Sequence, residues 1–126
     1  GVFLVDENIL EICGQSYQSL MLVSLINCHF LTGKSFVGIS KCRKLRNFSL
    51  IATSKRLVIQ FGRGQHIEDI VNGCKLITNM NLSGCESLSE ACFRSLAKLQ
   101  DLKVLNMSWF KGSMGTLWLL GSLPLQ

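Results

Sequence analysis

At 126 residues, the chain is long enough for one domain at most. Its 48% hydrophobic content and single proline argue against disorder, and no apolar run is long enough to span a membrane. The formal net charge of +5 favours acidic partners over basic ones.

The first predicted element is a helix within residues 3–13. Its apolar positions Leu4, Ile9 and Ile12 recur at helical spacing, and Asp6 is the expected N-cap. No strand precedes this helix in the sequence, so we expect it to be the helical half of a repeat whose strand is missing. On this interpretation residues 1–126 are a fragment of a longer repeat array.

An apolar strand, a cysteine and an amphipathic helix follow one another twice along the chain. In the clearer copy, residues 77–99, Met80 and Leu82 have the period of a strand, Cys85 ends it, and Phe93 and Leu96 recur at helical spacing. In the earlier copy the corresponding residues are Leu20, Val23, Leu25, Cys28, Leu31, Phe36, Ile39 and Cys42.

Two weaker copies complete the series, whose strands start at Leu20, Leu45, Ile77 and Leu102. The first and last intervals between these starts are equal, the middle one is longer, and all three lie within or near the length range of leucine-rich repeats. We predict parallel strands near residues 22–25, 47–50, 79–82 and 104–107, with helices covering one side. One such unit cannot bury its own apolar face, so neighbouring units must stack.

The L-x-x-L-x-L-x-x-C frame followed by a short helix resembles the cysteine-containing leucine-rich repeat. That repeat is found in F-box leucine-rich-repeat proteins and in their relatives without an F-box. The resemblance covers nearly the whole chain. It implies an α/β leucine-rich-repeat solenoid, a curved parallel sheet with outer helices, with about four strand rungs plus a partial N-terminal repeat.

The second repeat contains an irregular insertion, residues 54–65. Residues 57–61 are β-branched and aromatic and are followed by Gly62, Arg63 and Gly64, which predicts an extra short strand. Insertions in solenoids usually emerge on one face, often the binding face. An insertion without a role is the equal alternative. The helix of this repeat is expected to resume at Ile67.

The chain has six cysteines. The repeat places Cys28 and Cys85 at strand ends and Cys42 and Cys74 at helix ends, where each is expected to be a buried free thiol. Free thiols indicate a reducing compartment inside the cell, cytoplasmic or nuclear. Disulfides in a small secreted domain are one alternative. Zinc is another, because His29 adjoins Cys28, although no C-x-x-C spacing occurs.

Eight basic residues and no acidic residue lie between Ile12 and Ile67. This run favours an acidic protein surface or acidic peptide as partner, and nucleic acid more weakly. A solvated face without a partner is the simpler alternative. The candidate basic patch consists of Arg43, Lys44, Arg46, Lys55, Arg56 and Arg63.

No catalytic constellation is visible in the sequence. His29 and His66 are the only histidines, and neither lies in a motif with a nucleophile and an orienting group. Gly62, Arg63 and Gly64 lack the remainder of a phosphate-binding loop. We therefore expect a binding protein rather than an enzyme, with no cofactor, metal or small-molecule substrate.

The outward-facing side of the curved sheet is the expected recognition surface. Its central column, Ser24, Ser49, Asn81 and Asn106, is small and polar, with bulkier neighbours that can anchor a protein partner. The candidate partner-binding residues of this concave face are Ser24, Ile26, Asn47, Ser49, Ile51, Asn79, Asn81, Ser83, Asn106, Ser108 and Trp109.

By the resemblance, the chain is expected to be the substrate-recognition part of an F-box type ubiquitin ligase receptor. No F-box is visible in these 126 residues. The alternative is therefore a non-catalytic scaffold subunit of a large assembly, such as an axonemal regulatory or mitochondrial complex, where F-box-free relatives occur. Cysteine placement disfavours an extracellular receptor ectodomain. Both remaining roles depend on binding protein.

Overall fold

The computed structural model describes residues 4–51, 64, 66–83 and 88–107. Helices and strands alternate along them, which confirms the α/β class. In chain order the elements are α1 (Asp6–Ser16), β1 (Leu22–Ile26), α2 (Gly33–Ile39), β2 (Asn47–Ile51), α3 (Ile67–Gly73), β3 (Asn79–Asn81), α4 (Glu90–Leu96) and β4 (Val104–Asn106).

The strands of this described part form one parallel sheet in the order β1-β2-β3-β4. The register pairs Leu22 with Asn47, Asn47 with Asn79, and Asn79 with Val104. The offsets between paired residues equal the intervals between the apolar strand starts in the sequence, including the longer middle one. The prediction of four parallel strands is confirmed.

The same backbone hydrogen-bonding arrangement recurs at the start of each strand pairing, β1–β2, β2–β3 and β3–β4. A carbonyl oxygen just before one strand accepts hydrogen bonds from two successive N–H groups at the start of the next. The acceptor belongs in turn to Met21, Arg46 and Thr78, with N···O distances between 2.8 and 3.1 Å. Arg46 and Thr78 each donate their N–H to the preceding acceptor and offer their own carbonyl to the next strand. The register of one strand pair therefore determines the register of the next pair.

The sheet is buried on the face that packs against the helices. Along β2, Phe48 and Leu50 are buried, whereas Asn47, Ser49 and Ile51 between them are half-buried. This alternation follows from the period of two along a strand. The largest fully buried side chains are Phe36, Phe48, Phe93, Leu31, Ile39, Leu45, Ile67, Ile70, Ile77, Met80 and Leu82.

Close packing around α3 requires two glycines. A Cβ atom added to Gly73, the last residue of α3, would collide with the carbonyl oxygen of Ser40 after α2. Gly64 has φ of +67°, and an added Cβ would lie 2.7 Å from Sγ of Cys92 and 2.8 Å from Cδ2 of Leu88. The chain therefore runs close to α2 on one side and α4 on the other.

The prediction for the N-terminal helix was wrong in detail. The helix spans Asp6–Ser16 rather than residues 3–13, and its N-cap is Val5, not Asp6. The Val5 N–H donates to Oδ1 of Asn8 at 2.9 Å. The predicted extra strand at 57–61 lies outside the described residues, as does the insertion 54–65 apart from Gly64.

The carboxylate of Asp6 instead links the starts of two helices. It is 9% exposed and accepts hydrogen bonds from the backbone N–H of Thr32 at 2.9 Å, from Oγ1 of Thr32 at 2.5 Å, and from Oγ of Ser35 at 2.6 Å. Thr32 is the N-cap of α2. Burial raises the pKa of Asp6, but these hydrogen bonds outweigh it, so the pKa lies below its ordinary value of 3.8.

Replacing Asp6 should therefore destabilise the fold in a pH-dependent way. We expect Asp6→Ala to lower the free energy of unfolding by roughly 1.5–3 kcal/mol at neutral pH, because hydrogen bonds to a charged group are lost. A lowered folded-state pKa means that this stabilisation is present above about pH 3.8 and disappears as the pH falls through the folded-state pKa. Urea unfolding at neutral and acidic pH measures both effects.

Glu7→Ala is the matched control, since Glu7 lies in the same first turn but is exposed. Its effect should stay within about 0.5 kcal/mol of zero. A deficit of Asp6→Ala that persisted unchanged at acidic pH would contradict the assigned role of the ionised carboxylate.

Candidate functional site

The side of the sheet away from the helices, here called the open face, carries the predicted polar column. The strand register aligns Ser24 with Ser49, Ser49 with Asn81, and Asn81 with Asn106. Ser24 and Asn106 at the two ends are exposed, and the two inner members are half-buried. Four small polar side chains thus form one row across all the strands of the described part.

Apolar side chains border this row. Leu22 and Ile26, which flank Ser24 on β1, are 60% and 58% exposed. Ile26 pairs with Ile51 on β2, and Val104 on β4 is 50% exposed. Exposed aliphatic groups beside polar ones give the open face the mixed character of a protein-binding surface.

Hydrogen bonds between neighbouring side chains orient part of the row. Oδ1 of Asn81 accepts from the backbone N–H of Ser83 at 3.0 Å and from its hydroxyl at 2.6 Å. The Ser83 hydroxyl also lies 3.4 Å from Oδ1 of Asn106. On the adjacent row, the Thr78 hydroxyl donates to Oδ1 of Asn79 at 2.9 Å. The short hydrogen bonds orient the side chains of Asn81 and Asn79, and such preorganisation would lower the entropy cost of binding a partner.

The structure brings most of the predicted partner-binding residues together. Ser108 and Trp109 lie outside the described residues. The others lie on, or directly after, the strands of the open face: Ser24, Ile26, Asn47, Ser49, Ile51, Asn79, Asn81, Ser83 and Asn106.

The predicted basic patch has a different location. Its described members are exposed and precede β2 at the edge where the parallel strands begin: Arg43, Lys44 and Arg46. Its other members, Lys55, Arg56 and Arg63, lie outside the described residues. The patch and the open face are therefore two separate candidate surfaces.

Further basic side chains lie at this edge, which we call the basic edge. The loops from helix to strand also present Lys41, Lys75, Lys98 and Lys103, all exposed, against the single acidic residue Asp101. Sequence reasoning missed the extent of this edge because it counted charges along a continuous run. Arg43 and Lys75 are separated by the same interval as the second and third strand starts. A comparison of charges at equivalent repeat positions would therefore have predicted the basic edge.

Most acidic residues of the described part gather at the opposite edge. Glu7, Glu68, Asp69 and Glu90 lie in the first turns of their helices. The helix dipole favours acids at helix starts and bases at helix ends, so it accounts for this polarity in part. The molecule consequently presents a basic edge that can attract an acidic partner.

The thiols lie mainly at the helix ends. Cys42 and Cys74 are buried and free, as is Cys13, and Cys92 is buried. Sγ of Cys74 donates to the carbonyl oxygens of Cys42 at 3.3 Å and Ile39 at 3.5 Å, which joins consecutive repeats. Burial raises the pKa of the Cys74 thiol to about 12, with a contribution from Cys42 that Arg43 partly offsets.

Two cysteine predictions have other outcomes. Cys28 is free but half-buried rather than buried, because it lies in the loop beyond the end of β1. Cys85 lies outside the described residues.

His66 stacks on Phe36 with ring centroids 5.0 Å apart, so it packs against the helix layer. Within the described ranges, no group of three or more metal-binding side chains is assembled.

Neither the protein-family models nor the curated proteins include a match to this sequence. In the part of the chain that the structure describes, none of the helices has both the length and the apolar character needed to cross a bilayer.

The buried thiols predict a loss of stability at high pH. The pKa of Cys13 and that of Cys74 rise from 9.0 to about 12 on folding. Because the folded-state pKa is raised, the stabilisation is fully present below about pH 9 and is lost as the pH rises towards 12. We expect the free energy of unfolding in urea to fall over this range, and to fall less in Cys74→Ala.

Cys28→Ala is the control for this experiment, because burial also raises the pKa of this half-buried thiol, but by less than that of Cys74. An equal loss in all three proteins would show that thiol burial is not responsible. Rapid alkylation of Cys74 in the folded chain near neutral pH would also contradict the assignment.

Proposed function

We propose that the chain is part of a leucine-rich-repeat solenoid that recognises a protein partner on its open face. The observation that carries the proposal is the alignment of Ser24, Ser49, Asn81 and Asn106 in one polar row bordered by exposed aliphatic side chains. A partner segment lying across the strands would contact several repeats at once. Aliphatic anchors such as Leu22 supply apolar contact, and the row supplies hydrogen-bonding groups.

The repeated backbone geometry supports the solenoid part of this proposal. Repeat-length offsets between paired strands and the recurring acceptor carbonyls of Met21, Arg46 and Thr78 are what stacked repeats require. The bond from the Cys74 thiol to the turn at Cys42 repeats the same relationship on the helix side. In a solenoid the open face would be concave and suited to a rounded or extended partner.

The resemblance to F-box leucine-rich-repeat proteins supplies the proposed cellular role. The open face would hold a substrate while other subunits of a Skp–cullin–F-box ligase transfer ubiquitin. The chain itself contributes recognition and no chemistry. Its surroundings would be intracellular, where the free thiols Cys42 and Cys74 stay reduced.

One observation favours the scaffold role as a second candidate. An apolar cleft of about 190 Å³ opens between α1 and β1, lined by Leu4, Ile12, Leu20 and Leu22 among others. Ile12 is 48% exposed and Leu4 38%. Either a preceding repeat or a permanent partner would cover such a cleft, because permanent interfaces are more apolar than transient ones.

Charge on the open face should abolish partner binding without unfolding the chain. Ser24→Arg/Asn106→Arg places two cations at exposed ends of the polar row. Gln15→Arg/Val37→Arg adds the same charge to exposed helix positions and is the matched control. We expect both variants to keep the wild-type thermal transition, since exposed substitutions usually change stability by about 0.5 kcal/mol or less.

Quantitative mass spectrometry of proteins that co-purify with the full-length protein gives the readout. In the ligase role, the open-face variant loses a substrate and its ubiquitylation while Skp and cullin subunits remain. In the scaffold role, a stoichiometric assembly without a cullin is lost. Identical partner sets for the open-face variant, the control and the wild type would overturn recognition by the open face.

A further inference from the structure

A groove with an apolar floor and a cationic rim lies where α1 and α2 end. Its volume is about 470 Å³. Its apolar floor consists of Leu10, Cys13 and Gly14 of α1 and of Tyr17 in the turn beyond it. A second cavity of about 400 Å³ adjoins it and shares Tyr17.

The cationic rim comes from the loop between α2 and β2. Lys41 and Arg43 line both cavities, and Lys44 lines the second. All three are exposed, and none belongs to an ion pair among the described residues, where Arg94 and Glu90 form the one pair. Three uncompensated cations around one concave site attract carboxylates.

The apolar floor of the groove indicates that the ligand has an apolar group in addition to its negative charge. Leu10 is 41% exposed and Tyr17 48%, and both contribute apolar surface to the groove. The Tyr17 hydroxyl accepts a hydrogen bond from Nε2 of Gln18 at 3.1 Å, which orients the ring. A purely ionic ligand would leave this apolar surface in water, whereas a bulky side chain would cover it.

We infer that this groove is a docking site for an acidic peptide segment that carries a bulky apolar residue. The apolar side chain enters between Leu10 and Tyr17, and flanking carboxylates lie against Lys41, Arg43 and Lys44. The site is separate from the open face, so the inference does not rest on the proposed function. It would allow the chain to hold a second protein, or a second segment of the same partner.

Nucleic acid fits these observations less well. Tyr17 is the one aromatic residue lining the groove, whereas single-stranded nucleic acid is bound along a series of stacking platforms. The charge is also accompanied by apolar surface that phosphates do not use.

Gly14 offers a direct way to block the groove. It lies within α1, and a Cβ added there meets no atom within 4 Å. Gly14→Leu therefore fills the groove without a backbone collision, and replacing a helical glycine should stabilise α1 rather than disrupt it. A melt of the variant at or above the wild-type temperature checks this.

Binding is measured by fluorescence anisotropy with the full-length protein. The probe is a fluorescein-labelled peptide of Asp, Glu and Ser residues with one central Phe, and its partner probe has Ala in place of Phe. We expect the Phe peptide to bind roughly tenfold or more tightly than the Ala peptide, because an apolar side chain is buried. Gly14→Leu should remove this difference, and added salt should weaken both peptides.

Charge reversal separates the groove from the rest of the basic edge. Lys41→Glu/Arg43→Glu should weaken the Phe peptide at least tenfold. The matched control Lys75→Glu/Lys98→Glu, with the same change in net charge, should weaken it about threefold or less, because it acts only at longer range.

Several outcomes would overturn the inference. Equal affinity for the Phe and Ala peptides, or equal losses in the two charge-reversal variants, would show a diffuse electrostatic surface. Tighter binding of a single-stranded oligonucleotide, or of vesicles rich in phosphatidylserine, would assign the basic edge to another partner class. The absence of measurable binding to either peptide at low salt would also refute it.

Discussion

Parallel pairing of the described strands in a single register determines which side chains are buried and which face outwards. The carbonyls of Met21, Arg46 and Thr78 each accept two N–H groups of the next strand and so lock the offsets between repeats. With the offsets fixed, the period of two along each strand buries residues such as Phe48 and Met80 and exposes their neighbours. A slip by one residue would turn the whole apolar set to the open face, which makes this register strongly preferred.

The same constraint separates the two candidate surfaces and sorts charge between the two edges of the described part. Because every strand runs in one direction, all helix-to-strand loops meet at one edge and all helix starts at the other. Basic residues such as Arg43 and Lys75 collect at the first edge, and acids such as Glu68 and Glu90 at the second. The open face lies between these edges, and its central row has no charged residue. It would therefore bind a partner through hydrogen bonds and apolar contacts rather than through charge.

Features set by short-range pattern could be predicted from the sequence, and features set by packing between elements could not. The strands and their offsets follow from apolar residues two apart and from repeated spacing, and both appear in the structure. The capping preference of Asp6 is local, but its partners Thr32 and Ser35 come from the next repeat, so the prediction failed. The groove beside Tyr17 was missed because it exists only where the end of α1 meets the α2–β2 loop.

Photo-crosslinking can show directly whether a partner binds the open face. A benzophenone amino acid replaces Ser24 on the open face in one sample and Val37 on the helix layer in another, both at exposed positions. The full-length protein is irradiated in its native extract, and the adducts are identified by mass spectrometry. If the open face binds the partner, a discrete protein adduct forms from position 24 and is absent from position 37. Adducts from position 37 alone would contradict it, because they would place the partner on the helices.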